Sequence, residues 1–153
     1  MIDIVTGCGY PGDKLSNFEA YMFKVDDIIC YSMEGFLQSL KFNDPEKQKE
    51  VCLLVGKQAK FKGKKKKWWI TQTLYWKGEK INRHSQNYQN LIKKAFEQLA
   101  KNEEFKQVLL DTHNKDIRHS EGKNDPSKTI LTEKEFCFHL MQTRTKIQKE
   151  QSK

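Results

Sequence analysis

The stretch SMEGFLQSLKFNDP, residues 32–45, decides the fold. Met33, Phe36, Leu37 and Leu40 recur at helical spacing, so one side of a helix is apolar. Asn43-Asp44-Pro45 stops that helix and opens the next, with Asp44 as cap and Pro45 in the first turn. The opposite side is polar in a regular way. Glu34, Gln38 and Lys41 lie at i, i+4 and i+7 and therefore share a face. A carboxylate, an amide and an amine are thus aligned opposite a buried stripe. On spacing alone this is the wet side of an ordinary surface helix.

Before this helix, MFKVDDIICY (residues 22–31) places β-branched and aromatic residues on either side of Asp26-Asp27, which predicts two short strands or one bent strand. After it, residues 74–81 carry Tyr75, Trp76 and a Lys77-Gly78 turn, which predicts a hairpin with Trp76 in the core. Tyr88, Leu91, Ile92, Ala95, Phe96 and Leu99 form the clearest amphipathic stripe, and a shorter helix follows around Phe105, Val108 and Leu109. Residues 113–128, HNKDIRHSEGKNDPSK, read as a polar loop of a length that often carries function. Thr132 and Glu135 have capping-box spacing before Phe136, Cys137, Leu140 and Met141, and the tail 146–153 is expected to fray. With no repeat and no interdomain linker, residues 1–153 read as a single helix-rich α+β domain with a small antiparallel sheet.

The chain is long enough to bury one core, and three Trp, nine Phe and five Tyr supply bulk that disordered chains lack. No apolar run spans a bilayer, and the N-terminus lacks a signal-peptide layout, so a cytoplasmic protein without membrane partners is expected. GCGYPG (residues 7–12) fits the letters of a dinucleotide-binding loop. Pro11 and the polar DKLSNF that follows supply no helix to face a pyrophosphate, so the glycines are read as turn residues. Cys8, Cys30, Cys52 and Cys137 have no paired spacing and are expected to be free thiols, mostly buried. The four His show no metal-ligand spacing, so neither metal nor cofactor is assigned. Of the net charge of +8, seven positive charges fall within residues 57–67, KQAKFKGKKKK, which contain no acid. That run is either a solvated loop or a contact for nucleic-acid phosphates, and the adjoining Trp68-Trp69 suits either bases or a strand entering the core.

LSNFEAYMFKVDD (residues 15–27) followed by the residue 32–42 helix resembles the NADAR, or YbiA-like, family, in which an S-N-F loop precedes a strand pair and an E-x-x-x-Q-x-x-K helix. GKQAK (56–60), YWKGEKINRHSQNYQ (75–89), FKQVLLDT (105–112) and HSEGKNDPSKTILTEKEF (119–136) extend the resemblance over most of the chain. The late W-G segment of better-known members is absent, and Arg118 stands where many carry an acid.

The resemblance implies a YbiA-like fold and an N-glycosidase that cleaves a bond from ribose C1′ to nitrogen. The substrates it suggests are ADP-ribosylated guanine in nucleotides or nucleic acid, or alternatively a phosphorylated ribosylamino-pyrimidine of early riboflavin synthesis. A non-catalytic ADP-ribose or nucleic-acid binding module is the contrasting reading. In the first case an ADP-ribosyltransferase toxin is the expected functional counterpart. A carboxylate suits an electron-poor ribosyl carbon, and a neutral amine suits Schiff-base formation. Glu34 and Lys41 are thereby the catalytic candidates, with Gln38 orienting the sugar. Ser16, Asn17 and Phe18 are candidates for holding ribose or base, Lys57, Lys60 and Arg83 for the pyrophosphate, and His119 and Asp125 for closing over the substrate.

Overall fold

A computed structural model describes all 153 residues. In chain order the elements are β1 (Ile2–Asp3), β2 (Phe23–Val25), β3 (Ile28–Cys30), α1 (Met33–Ser39), α2 (Pro45–Cys52), α3 (Gly56–Lys64), β4 (Thr73–Trp76), β5 (Glu79–Asn82), α4 (Gln86–Leu99), α5 (Glu103–Leu110), β6 (Ile117–Arg118) and α6 (Glu133–Gln151). This is the helix-rich α+β domain that the sequence predicts, and none of its helices is long and apolar enough to cross a membrane.

α1 sits at the centre because its apolar stripe is met on several sides. Phe36 is fully buried, edge-on to Trp76 at 5.2 Å and tilted against Phe23 at 6.4 Å, so one ring joins both hairpins to the helix. Ser32 caps α1 by accepting from the Gly35 amide, and its hydroxyl donates to the Leu54 carbonyl at 2.9 Å. A Cβ at Gly35 would lie 2.5 Å from that same carbonyl, so only glycine allows the approach. Asp44 caps α2 as expected. From α2 the buried Gln48 donates to the carbonyls of Ser39 and Tyr75 and accepts from the Lys77 amide. One amide thus satisfies backbone groups from α1 and the β4–β5 hairpin, which locks the hairpin to the helix.

Asp26-Asp27 and Lys77-Gly78 form the two tight turns, all four residues at positive φ. The antiparallel pairs β2–β3 and β4–β5 are separate ladders, and a third pair, β1 with β6, runs parallel. β6 lies within the polar stretch expected to be loop, and its one fully buried residue, Ile117, is too short a signal to read. Two further expectations are corrected. The segment from Gly56 to Lys64 is a helix, because Gln, Ala and Lys are good helix formers and the small Ala59 and Gly63 give it a buried side. The C-terminal tail continues α6 to Gln151, since Ile147 is buried, Lys146 pairs with Glu97, and Gln148 donates to the His113 carbonyl. Trp68 and Trp69 lie in a 3-10 turn, the first buried and the second exposed. All four cysteines are free, and three are buried.

Candidate active site

Glu34 stands in the first turn of α1, and its amide donates to the Asn17 carbonyl at 3.0 Å. That bond fastens the S-N-F loop across the start of the helix. Ser16 turns the loop by accepting from the Phe18 amide, and the Phe18 ring then rests against Gly56 at the start of α3. Gly56 has φ +54, a conformation that disfavours a side chain where α3 begins.

Around this junction opens a cleft of about 600 Å³, within the range of small-molecule sites. Ser16, Asn17, Phe18, Glu34, Lys60 and His119 line it. Six of the sequence candidates therefore meet in one place. His119 is held by Nδ1 donating to the Ile4 carbonyl at 2.6 Å and by its ring standing edge-on to Phe136. A carbonyl only accepts, so Nδ1 carries the proton and Nε2 remains available to a ligand.

Gln38 is buried behind Glu34, and its Nε2 donates to Glu34 Oε1 at 2.9 Å. α1 ends at Ser39, short of the helix expected through Phe42, and Lys41 falls in the turn that follows, half-buried, its side chain without hydrogen bond or ion pair, and outside the cleft lining. Burial pushes the Glu34 carboxyl above the usual range, against the pull of the Gln38 amide and the charges of Lys41 and Lys60. Burial pulls the Lys41 amine down to about 8, opposed by Glu34. A carboxyl whose ionisation burial opposes thus stands in the first turn of α1, and an amine that is partly neutral at physiological pH stands in the turn just past its end.

The Gln38 Oε1 atom is buried without a partner, pressed toward α3, where a Cβ at Gly63 would lie only 1.8 Å away. Alanine ordinarily stabilises a helix interior over glycine by about 1 kcal/mol. Here Gly63→Ala should instead lower the melting temperature and, by displacing Gln38 from Glu34, slow turnover. An unchanged melting curve and rate would show that Gln38 has room to move.

Three candidates lie elsewhere. Lys57 is exposed and does not line the cleft. Asp125 is exposed and caps its own turn by accepting from the Ser127 amide. Arg83 is 1% exposed: it donates to both carboxylate oxygens of Glu135 and to the Thr129 carbonyl, and lies 4.5 Å over the Tyr88 ring. Four of its five N–H donors are engaged, it lies outside the cleft lining, and its burial leaves it to anchor α6 rather than to meet a pyrophosphate. Burial opposes ionisation of Glu135, yet the guanidinium, with the Thr132 amide and Gln89, holds its carboxyl below the ordinary value. Arg83→Ala leaves Glu135 without its buried partner and should cost about 3–5 kcal/mol, roughly 10 °C in melting temperature. A shift of a degree or two would show that water replaces the guanidinium readily.

Sequence reading missed the rest of the lining, chiefly Asp13, Glu19 and Glu121. Asp13 sits in a single 3-10 turn, Gly12–Leu15, and Glu19 and Glu121 in irregular chain, where no periodic pattern marks them. Asp13 Oδ1 is buried without a partner, and Glu121 accepts from the Thr6 amide across the β1–β6 junction.

The fold is that of a YbiA-like α+β protein. Similarity to the NMR structure of YbiA from E. coli covers all of this chain and 90% of that one, with a TM-score of 0.64 at 18% identity. Residues 9–145 match the family described as Bacteriophage protein GP30.3, and the chain belongs to that family. It is also 32% identical, over 88% of its length and 91% of the relative's, to a 17.1 kDa protein from the Gp30-rIII intergenic region of Enterobacteria phage T4.

Proposed function

We propose that the cleft is the active site of an N-glycosidase that breaks a ribose C1′–N bond, with ADP-ribosylated guanine as substrate. The carrying observation is the pairing of Glu34 on α1, a carboxyl whose ionisation burial opposes, with Lys41 in the turn just past that helix, an amine that burial keeps partly neutral. An N-glycosidic bond breaks when its nitrogen gains a proton and its carbon gains either electrostatic support or a nucleophile. Glu34, on the cleft wall, is suited to the first task, and Lys41 to the second once the turn after α1 carries its amine in from outside the lining.

The balance of charge in the cleft bears on how a substrate would lie. Asp13, Glu19, Glu34 and Glu121 face one lysine, Lys60, and His119. Carboxylates favour a developing positive ribosyl carbon and disfavour phosphates. The ribosyl-base bond therefore belongs near Glu34, and the pyrophosphate toward Lys60 and the start of α3. Phe18, 38% exposed at the rim, offers a plane for a base. Such an activity would reverse the action of an ADP-ribosyltransferase toxin on guanine.

The test is to incubate the protein with an ADP-ribosylated guanine oligonucleotide, one arm containing borohydride, and to weigh both molecules by mass spectrometry. Release of ADP-ribose with a reduced adduct on Lys41 is the expected result. Release without an adduct moves the chemistry to Glu34 and direct attack by water. No release transfers the proposal to phosphorylated ribosylamino-pyrimidines, and inertness toward those as well reduces the site to a binding module.

A further inference from the structure

We propose that the surface from α3 through the following 3-10 turn binds single-stranded nucleic acid. Lys57, Lys60 and Lys64 lie at i, i+3 and i+7 on α3, so they line one face over about 10 Å of helix. Phe61 projects among them and is 63% exposed, with Lys64 Nζ 5.9 Å from its ring centre. The chain then presents Lys65, Lys66 and Lys67, followed by Trp69, 46% exposed, and Ile70, 70% exposed.

Three observations single this surface out from ordinary solvated lysines. None of the seven lysines between 57 and 67 takes part in an ion pair, although ion pairs form elsewhere on the molecule. Crowding makes the excess worse: Lys62 of α3 meets Lys47 of α2, and contact with that like charge pushes its pKa down. Two large rings are exposed among these cations, where burial would ordinarily be favoured. Unneutralised cations beside open aromatic faces suit a strand whose phosphates and base faces are both accessible. A duplex stacks its base faces away, and an acidic polypeptide has no use for the rings.

Lys60 belongs to both this helix face and the cleft wall. A strand lying along α3 would thus run to the cleft mouth at Phe18 and Gly56. The consequence, resting on the glycosidase reading, is that a modified base would be delivered from a strand held on α3.

The test uses the full chain and unmodified, fluorescein-labelled oligothymidylate, read by anisotropy across a salt series, with a hairpin duplex and heparin as comparators. Oligothymidylate should bind most tightly, with affinity falling by about 0.7 logarithmic units per phosphate contact for each tenfold rise in salt. Replacing Lys64, Lys65, Lys66 and Lys67 by Gln should flatten that slope. Phe61→Ala and Trp69→Ala should each weaken binding about fivefold or more without altering the slope, and Phe61→Trp should restore it. Tighter binding of duplex or heparin, or indifference to both ring removals in folded variants, overturns the proposal. Because the oligonucleotide carries no adduct, these results are independent of turnover. The lysine and ring variants should still act on an ADP-ribosyl mononucleoside, which separates failure of this surface from failure of the glycosidase reading.

Discussion

Lys41→Ala is expected to abolish release of the ribosyl group and to remove the borohydride-trapped adduct, while the protein stays folded. In the opened sugar, C1′ is joined to the base nitrogen as an imine. Addition of Lys41 Nζ to C1′ gives a diamine, from which the base nitrogen departs with a proton supplied by the Glu34 carboxyl. The product is a protonated imine between Nζ and C1′, which water hydrolyses to the free sugar and the amine, the proton returning to Glu34. Only the neutral amine can add. With its pKa near 8, the rate should rise about tenfold per pH unit well below that value and level off above it. The same shift has a stability consequence. The folded-state pKa lies below the ordinary 10.5, so between about 8 and 10.5 the unfolded chain binds the extra proton and stability rises with pH. Lys41→Met should be inactive yet lack that rise. Retained turnover in either variant removes Lys41 as nucleophile and leaves the cleft and Glu34 in place.

How much of this was legible beforehand follows from the range of each signal. The α1 stripe, the Asp44-Pro45 start, the Lys77-Gly78 turn and the Thr132–Glu135 capping box are local patterns, and each appears where expected, while Asp26-Asp27, open between two strands and one bent strand, divides two strands. The alignment of Glu34 with Gln38 is equally local, because helical periodicity alone puts them on one face, whereas Lys41, expected on that face, falls in the turn past the end of α1. Spacing could not say whether that face is wet. It is partly buried because Gly63 lets α3 approach Gln38 and because the Asn17 carbonyl draws the S-N-F loop over Glu34. Both causes are long-range contacts of single small groups. The same limit explains Arg83, whose buried partner lies 52 residues away, and β6, whose two residues acquire meaning only beside β1. The lysine run misled in the other direction. Its charge suggested loop, yet the backbone propensity of lysine is helical, and Ala59 and Gly63 supplied the docking side.

Glu34→Gln is expected to lower turnover by roughly a hundredfold or more, the range lost when a positioned acid or base is removed. The change is close to isosteric, and an amide at this position can still meet Gln38. It also removes a carboxyl that burial penalises when charged. Because that carboxyl's folded pKa is raised, the wild-type protein loses stability as pH climbs from the unfolded value through the folded one. Glu34→Gln should therefore be at least as stable as wild type at neutral pH, which separates a catalytic loss from a folding defect. A second readout ties the residue to Lys41. The Glu34 charge holds the Lys41 pKa up against desolvation, so its removal should shift the rising limb of the pH profile to lower pH. A slow variant with an unmoved limb would mean that Glu34 acts on the departing base without facing the amine. A variant with near-normal rate returns Glu34 to a structural role, hydrogen-bonded to Gln38 at the wall of a cleft whose chemistry lies elsewhere.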